Sequence, residues 1–396
     1  MENNSTWVEA WGMAHARLSM MSFLSAKRTL RLVFNTAIAG ERARIRLCNK
    51  HSAYAVAVGC ANIALCDANG VIADTQSIRP LTFRGKAGLT LPPGGSAISD
   101  EAAFAVPAGA HVCVSLYIEK GRLQSGNCLD DARLLCAKGD VCGAAAVRHK
   151  RRVRDFLLPQ VNKLLGLTQP FPIPLFQAVE LLNGEGAASI QCFGDSLTQQ
   201  GFWTKFFDTK IRALYPGRYS VVNKAIGGNR ILRDTSGRFP LRGYYGVKGL
   251  ERVHDDVFAC EGVSHVILCM GTNDYFQPGS ISAYKSEFAS AREIMDGAEA
   301  LAAMIRARKI PVIGLNFVPT GLGADSTPEK NALRRELNAL FENSDAFDHT
   351  FDVSTPFASP ENPDCPPAAF VGGDKLHPND AGGRAIAGAI DCGVFE

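Results

Sequence analysis

Ile190-Gln191-Cys192-Phe193-Gly194-Asp195-Ser196-Leu197-Thr198 lies near the middle of the chain. It reads as a short apolar strand that stops at Gly194 and passes through Asp195 and Ser196 into a segment rich in aromatic residues, Phe202 to Phe207. A serine on such a strand-to-helix turn holds its hydroxyl at the carboxyl end of the strand. Its backbone N–H falls in the first turn of the helix, where unpaired donors favour a developing negative charge. A nucleophilic serine needs both features. A helix-capping serine produces the same pattern, so the surrounding chain has to decide.

Outward from that stretch, strands alternate with helical segments. The spacing predicts a helix over 202–214, a strand over 219–223, and a nearly all-apolar strand from Val263 to Met270 of the kind buried on both faces. A long amphipathic helix is expected over 286–309, a strand over 310–315, and helices over 329–341 and 380–390. This alternation predicts a mostly parallel sheet with helices on both faces, and such sheets bind ligands beyond the carboxyl ends of their strands.

That rule selects particular residues. Ser196 follows the first strand. Asn223-Lys224-Ala225-Ile226-Gly227-Gly228-Asn229-Arg230 follows the second, its paired glycines letting backbone N–H groups approach a ligand. Gly271-Thr272-Asn273-Asp274 follows the third and offers a side-chain amide; in Asp374-Lys375-Leu376-His377 an aspartate precedes a histidine by three residues, and Pro378 is placed to open the last helix. Acyl transfer from an ester needs a nucleophile, a base, a group to hold the base, and donors for the oxyanion. Ser196, His377 and Asp374 fit the first three roles; the N–H groups of Ser196 and Gly228 with the Asn273 amide fit the fourth. Each has a bland alternative, as turn residue, tight-turn glycine, helix-start acid or surface histidine. Their occurrence in order, each after a strand, favours the chemistry.

Composition bounds the rest. The chain has 396 residues, long enough for two domains, with 46% hydrophobic and 20% charged residues, which is ordinary for a globular protein. A formal charge of +3 without a basic face argues against a nucleic-acid partner. The basic cluster Arg148-His149-Lys150-Arg151-Arg152 is short enough to be a solvated linker. No signal peptide and no apolar run long enough to span a bilayer is visible, so a chain acting inside the cell without a membrane partner is expected, or a secreted one if a leader was trimmed. In a reducing cytosol the twelve cysteines read as small buried apolar residues; no CxxC pair or His/Cys spacing suggests zinc, and neither metal nor cofactor is expected.

Before the α/β region the pattern changes. From Thr29 to Ile118 short period-two runs are broken by Gly, Pro, Asn and Asp, as in Ala43-Arg44-Ile45-Arg46-Leu47 and the turns Pro92-Pro93-Gly94-Gly95 and Pro107-Ala108-Gly109. A β-sandwich, jelly-roll-like, is expected over 1–145, with surface roles for His51 and His111. The proline-rich stretch from 146 to 186 reads as a packed-down connector, and 187–396 as the α/β domain.

The four segments Gly194-Asp195-Ser196-Leu197, Gly228 within Asn223–Asn229, Gly271-Thr272-Asn273-Asp274 and Asp374-Lys375-Leu376-His377 resemble the four blocks of the SGNH, or GDSL, hydrolase superfamily. The resemblance covers about Ala187 to Phe395. It implies a flavodoxin-like three-layer α/β/α domain with Ser196, Gly228, Asn273 and His377 as its name-giving residues and Asp374 completing a triad. Gly227 to Leu232, Asp256-Val257-Phe258 and Leu376 to Gly382 are similar to a bacterial and fungal subgroup with an N-terminal β-sandwich, many of whose members are secreted. The resemblance implies an esterase, lipase, thioesterase or carbohydrate acetylesterase. The absence of a long apolar lid disfavours a triglyceride lipase, and the expected activity is hydrolysis of small-acyl esters, with O-acetylated sugars or glycosides as the analogy suggests. Trp203, Asn229, Arg230, Tyr275 and Phe276 are candidates to line the pocket, with helix packing the competing role for the aromatics. Acyl transfer to another alcohol uses the same residues, and a carbohydrate-binding scaffold with an inert hydrolase half is the reading from a different class. The sandwich has two further roles open to it, shaping the pocket rim or mediating homo-oligomerisation.

Overall fold

The computed structural model describes residues 5–18, 26–147, 172–184, 186–236 and 243–396, and the chain divides into two compact units, Met1–Ser189 with Tyr215–Val222 and Ile190–Leu214 with Asn223–Glu396. The basic cluster and the prolines at 159 and 170 lie outside the described residues.

In the first unit the alternating runs become two large antiparallel sheets, beside a small third one of Ala16–Arg17, Ser125–Asn127 and Ile173–Pro174. The principal strands are β1 (Thr6–Gly12), β2 (Arg28–Asn35), β3 (Gly40–Cys48), β4 (Val56–Cys66), β5 (Ala102–Val106), β6 (His111–Lys120), β7 (Arg133–Lys138) and β8 (Phe176–Asn183). One sheet runs β1-β8-β3 and continues to the short Ser96–Ile98 strand, with β5 also on β3; the other runs β7-β2-β6-β4 and continues to Arg79–Pro80. Apolar residues of both sheets, among them Val8, Leu30, Leu32, Ile45, Val114, Leu116, Val179 and Leu181, share one buried core, which is what a sandwich of half-buried sheets requires.

The stretch read as a connector ends differently from that expectation. Phe176–Asn183 is a strand lying between β1 and β3. Its pattern was obscured by Glu180, which is buried yet paired with Arg44 and with Arg46 (Nε 2.5 Å from Oε1) on β3. Two guanidiniums offset the desolvation of one carboxylate, so a charge occupies a strand position that alternation alone would leave exposed.

The second unit holds the α/β pattern. The strands of this pattern are β9 (Ala188–Gly194), β10 (Tyr219–Asn223), β11 (Val263–Cys269), β12 (Val312–Leu315) and β13 (His349–Phe351), in the order β10-β9-β11-β12-β13, and the last three run parallel; Ala188–Ser189 of β9 and Tyr219–Val222 of β10 are grouped with the first unit. In domain order this is 2-1-3-4-5, the flavodoxin-like arrangement. The helices are α1 (Ser196–Gln199), α2 (Thr204–Leu214), α3 (Gly249–Asp256), α4 (Thr272–Phe276), α5 (Ala291–Arg306), α6 (Pro328–Glu342), α7 (Ser354–Phe357) and α8 (Asp380–Ala389). The helix expected from 286 begins five residues later, because Ser290 and Glu293 form a capping box that satisfies first-turn donors. Ile294, Met295, Leu301 and Ile305 of α5 are fully buried, each contributing about 1.5–3 kcal/mol by burial. The last helix starts at Asp380, as the spacing predicts. Asn379, not Pro378, is its cap, with Oδ1 accepting from Ala381 N at 2.9 Å and Gly382 N at 3.2 Å.

Candidate active site

The site is built where β9 stops. Gly194 is held close to its neighbours: a Cβ there would lie 2.6 Å from both Cys269 O and Thr198 Oγ1. Asp195 caps α1, its Oδ1 accepting from Leu197 N at 3.0 Å. Ser196 is the first helical residue and is partly exposed, whereas its neighbours on either side are buried. Burial pushes the Asp195 carboxyl up to about 7, although the Leu197 N–H and the charge of His377 pull the other way, and its Oδ2 has no partner.

The loop after β10 is pinned beside β9. Lys224 N donates to Cys192 O at 2.9 Å and Ile226 N to Gly194 O at 3.1 Å, while Asn223 Nδ2 donates to Thr198 O at 2.9 Å. Gly228 turns there with φ +73°, and a Cβ would collide with the Tyr245 ring at 2.3 Å, so this position requires glycine twice over. Its carbonyl accepts from Gln277 Nε2 at 2.8 Å. The carbonyl of Asn229 accepts from Asn273 Nδ2 at 3.1 Å. Two of the three expected oxyanion donors, Gly228 and Asn273, are thus linked through adjacent residues, since Asn273 bonds the carbonyl of the residue after Gly228. Asp274 fixes the same loop from below, Oδ2 accepting from Ile231 N at 2.8 Å and Oδ1 from Leu232 N at 3.0 Å; burial lifts its carboxyl to about 6 against those bonds.

Arg252 on α3 ties these segments together and was not singled out by the sequence reading. Its guanidinium donates to Gly194 O (2.8 Å), Lys224 O (2.7 Å), Asn229 Oδ1 (2.7 Å) and Asp256 Oδ2 (2.8 Å), with Cζ 3.7 Å from the centre of the Phe193 ring. An arginine and an acid four residues apart on an amphipathic helix read as a solvated ion pair; the one available signal was the Asp256-Val257-Phe258 motif.

Between Asp374 and His377 the chain makes a tight turn through Lys375 at φ +59°. Asp374 Oδ1 accepts from the N–H groups of Leu376 and His377, both at 3.0 Å, and Oδ2 lies 2.6 Å from His377 Nδ1. Burial raises the Asp374 carboxyl, but the His377 ring and the two N–H groups outweigh it and hold it below the usual carboxylate range. With Nδ1 committed to the carboxylate, Nε2 is left buried and without a partner. Helix α8 follows directly and packs so closely on the turn into α2 that a Cβ on Gly383 would lie 2.2 Å from Phe202 O. That contact packs the helix following the His377 turn against the entry to α2.

The remaining pocket candidates are placed inward. Trp203, Tyr275 and Phe276 are buried. Asn229 is buried with its amide donating to Tyr245 O and Val247 O, and Arg230 is buried with NH1 2.7 Å from Glu287 Oε2. The aromatic side chain against Gly228 is instead Tyr245, whose hydroxyl lies 3.2 Å from Ser282 Oγ. Sequence gave no signal for it beyond a Gly-Tyr-Tyr-Gly run. Among the described residues, one His/Cys/Asp/Glu group has metal-ligand spacing, Cys60, Asp140 and Cys142, and it belongs to the first unit. No described helix is long and apolar enough to cross a membrane.

A flavodoxin-like sheet with a serine, an amide and a carboxylate-held histidine at its strand ends defines a serine esterase of the SGNH type. Residues 192–385 match the GDSL-like Lipase/Acylhydrolase family, so the chain carries a domain similar to that family. Solved structures similar to it include a lipolytic protein of the G-D-S-L family from Veillonella parvula (19% identity, 51% of this chain and 96% of that one, TM-score 0.37). They also include Axe2, an acetylxylan esterase from Geobacillus stearothermophilus (18%, 52% and 94%, TM-score 0.37), and a GDSL-like lipase from Bacteroides thetaiotaomicron (16%, 52% and 87%, TM-score 0.37). No curated protein matches the chain.

Proposed function

We propose that the chain hydrolyses small-acyl esters through Ser196, His377 and Asp374, with O-acetyl groups of carbohydrates as the first class to test. The observation that carries this reading is the His377 ring, held through Nδ1 by Asp374 with Nε2 left free. Ser196 Oγ attacks the ester carbonyl carbon as Nε2 takes its proton, and the Asp374 carboxylate stabilises the imidazolium. The oxyanion is received by the N–H groups of Ser196 and Gly228 and by Asn273 Nδ2. Collapse breaks the ester C–O bond as Nε2 returns the proton to the leaving alcohol. Water, deprotonated by the same nitrogen, then attacks the acyl-serine and releases the acid. Asp374, though only three residues from the base, is held below the carboxylate range and therefore stays ionised while the ring cycles.

The test is turnover of p-nitrophenyl esters of increasing acyl length, followed by acetylated sugars. Acetyl and butyryl esters are expected to turn over, and Ser196→Ala to lower the rate by about 10⁴-fold or more with an unchanged melting temperature. Ester hydrolysis retained by Ser196→Ala overturns the assignment. Asn273→Ala is expected to cost about 10²–10³ in kcat with little change in KM, as loss of one oxyanion donor does.

A further inference from the structure

Cys60 on β4 and Asp140 and Cys142, just after β7, come together in the first unit although no spacing in the sequence announces it. One ligand atom from each, two Sγ and a carboxylate oxygen, all lie within 4.8 Å of one another. The Cys142 thiol donates to the Cys60 carbonyl at 3.9 Å. In β4 a bulge adjoins the first ligand: Tyr117 of β6 pairs with Cys60 and Ile118 with Val58, leaving Gly59 as the extra residue. A bulge re-aims the side chain beside it.

The segment bearing the other two ligands is fixed by its backbone. Gly139 N donates to Lys27 O at 2.9 Å, and Thr29 Oγ1 donates to Gly139 O and accepts from Val141 N, both at 2.9 Å. Asp140 Oδ1 accepts from Cys142 N at 3.1 Å. The buried Arg31 guanidinium donates to Cys142 O (3.3 Å), Ala144 O (2.7 Å), Ala145 O (3.1 Å), Gly70 O (3.0 Å) and, through Nε, to Ser115 Oγ (2.8 Å). These five acceptors are all neutral. Cys142 is buried, Cys60 half-buried and Asp140 exposed, so the cluster is reached from the Asp140 side.

We infer that Cys60, Cys142 and Asp140 bind a borderline-soft divalent cation of the Zn²⁺ class, with a water in the fourth position. Two sulfurs each about 2.3 Å from a tetrahedral centre lie about 3.8 Å apart. The cluster needs a contraction of at most about 1 Å, within the reach of side-chain rotation. Binding releases one proton from each thiol. Two thiolates, a carboxylate and a divalent ion carry one net negative charge; the Arg31 guanidinium of β2, bonded to the Cys142 carbonyl, is the cation nearest to hand among the described contacts. The ion would clamp the 139–147 segment to β4, and this site is independent of the ester chemistry.

The experiment is equilibrium dialysis of the full-length chain, kept reduced, against Zn²⁺, with metal analysis and with Co²⁺ substitution to read the sulfur-to-metal charge-transfer band. One equivalent of Zn²⁺ is expected to be retained, with a thiolate band in the Co²⁺ form and a raised melting temperature. Cys60→Ser with Cys142→Ser should abolish retention, and Asp140→Asn, at an exposed position, should weaken it by more than the roughly tenfold that losing an outer-shell partner costs. Cys66→Ser, at a cysteine of β4 outside the cluster, should leave it unchanged. No stoichiometric retention by the reduced chain overturns the inference, as does retention that survives loss of both cysteines. A Cys60–Cys142 disulfide that forms equally with and without Zn²⁺ does so too, by assigning the pair to redox chemistry.

Discussion

Asp195 combines two demands that conflict. It caps α1 through Oδ1, yet it is fully buried and its other oxygen has no partner, so its carboxyl is raised to about 7. A carboxyl that binds its proton more tightly folded than unfolded loses stability as pH rises from its unfolded value near 4 to its folded value near 7, and none beyond. For a shift of about three units the loss is on the order of 4 kcal/mol. Asp274, raised to about 6, adds to the same slope over a narrower window. Asp195→Asn keeps a capping oxygen and removes the charge, so it is expected to be more stable than wild type at pH 8 and close to it at pH 4. Denaturant melts at the two pH values check this; a variant that gains nothing at pH 8 shows that the buried carboxyl is ionised without penalty. The sequence displayed Asp195 as a cap. It could not display the cost of burying the second oxygen, because that depends on what closes over it.

The elements of the second unit were legible because their periodicities are uncomplicated. Val263–Cys269 is almost wholly apolar, and α5 and α6 carry one apolar face each. Their starts were less legible, since Ser290 and Asn379 had to be chosen from several polar residues as the caps. Least visible was the joint made by α3. Arg252 binds the carbonyls ending β9 and following β10, the Asn229 side chain, and Asp256 on its own helix. A single fork thereby sets where the Ser196 turn stands relative to the Gly228 turn. Arg252→Met keeps much of the length and removes every bond, leaving Asp256 buried without its partner. A destabilisation of about 3–5 kcal/mol is expected from breaking such a pair. Arg252→Lys restores a charge but not the fork, so it should recover part of the stability while kcat stays depressed with KM little changed. Equal recovery of both would mean that the arginine supplies charge alone and does not position the site.

At the scale of the whole molecule, the division into an all-β part and an α/β part followed from where period-two alternation gives way to strand-helix alternation. The strand that the sequence reading assigned to the connector shows the limit of that method. Phe176–Asn183 contains a buried glutamate, and only the two arginines on a strand more than a hundred residues earlier make that position tolerable. The consequence can be tested by cutting the chain. β8 is the strand to which β1 is hydrogen-bonded, and it also covers one edge of β3. A fragment of residues 1–145 therefore loses the pairing of β1 and exposes the edge of β3. It also loses Phe176, Val179 and Leu181 from the shared core, each worth about 1.5–3 kcal/mol. That sum approaches the 5–15 kcal/mol that a domain has in total. In addition, Arg44 and Arg46 are left without the carboxylate between them. The fragment 1–145 is expected to aggregate or to melt without a cooperative transition by circular dichroism, whereas 1–189 restores β8 and should melt cooperatively. A cooperative transition in 1–145 at comparable temperature would mean that the two sheets close without β8, and that the Glu180 pair with its arginines is an ornament of the strand and not a condition for it.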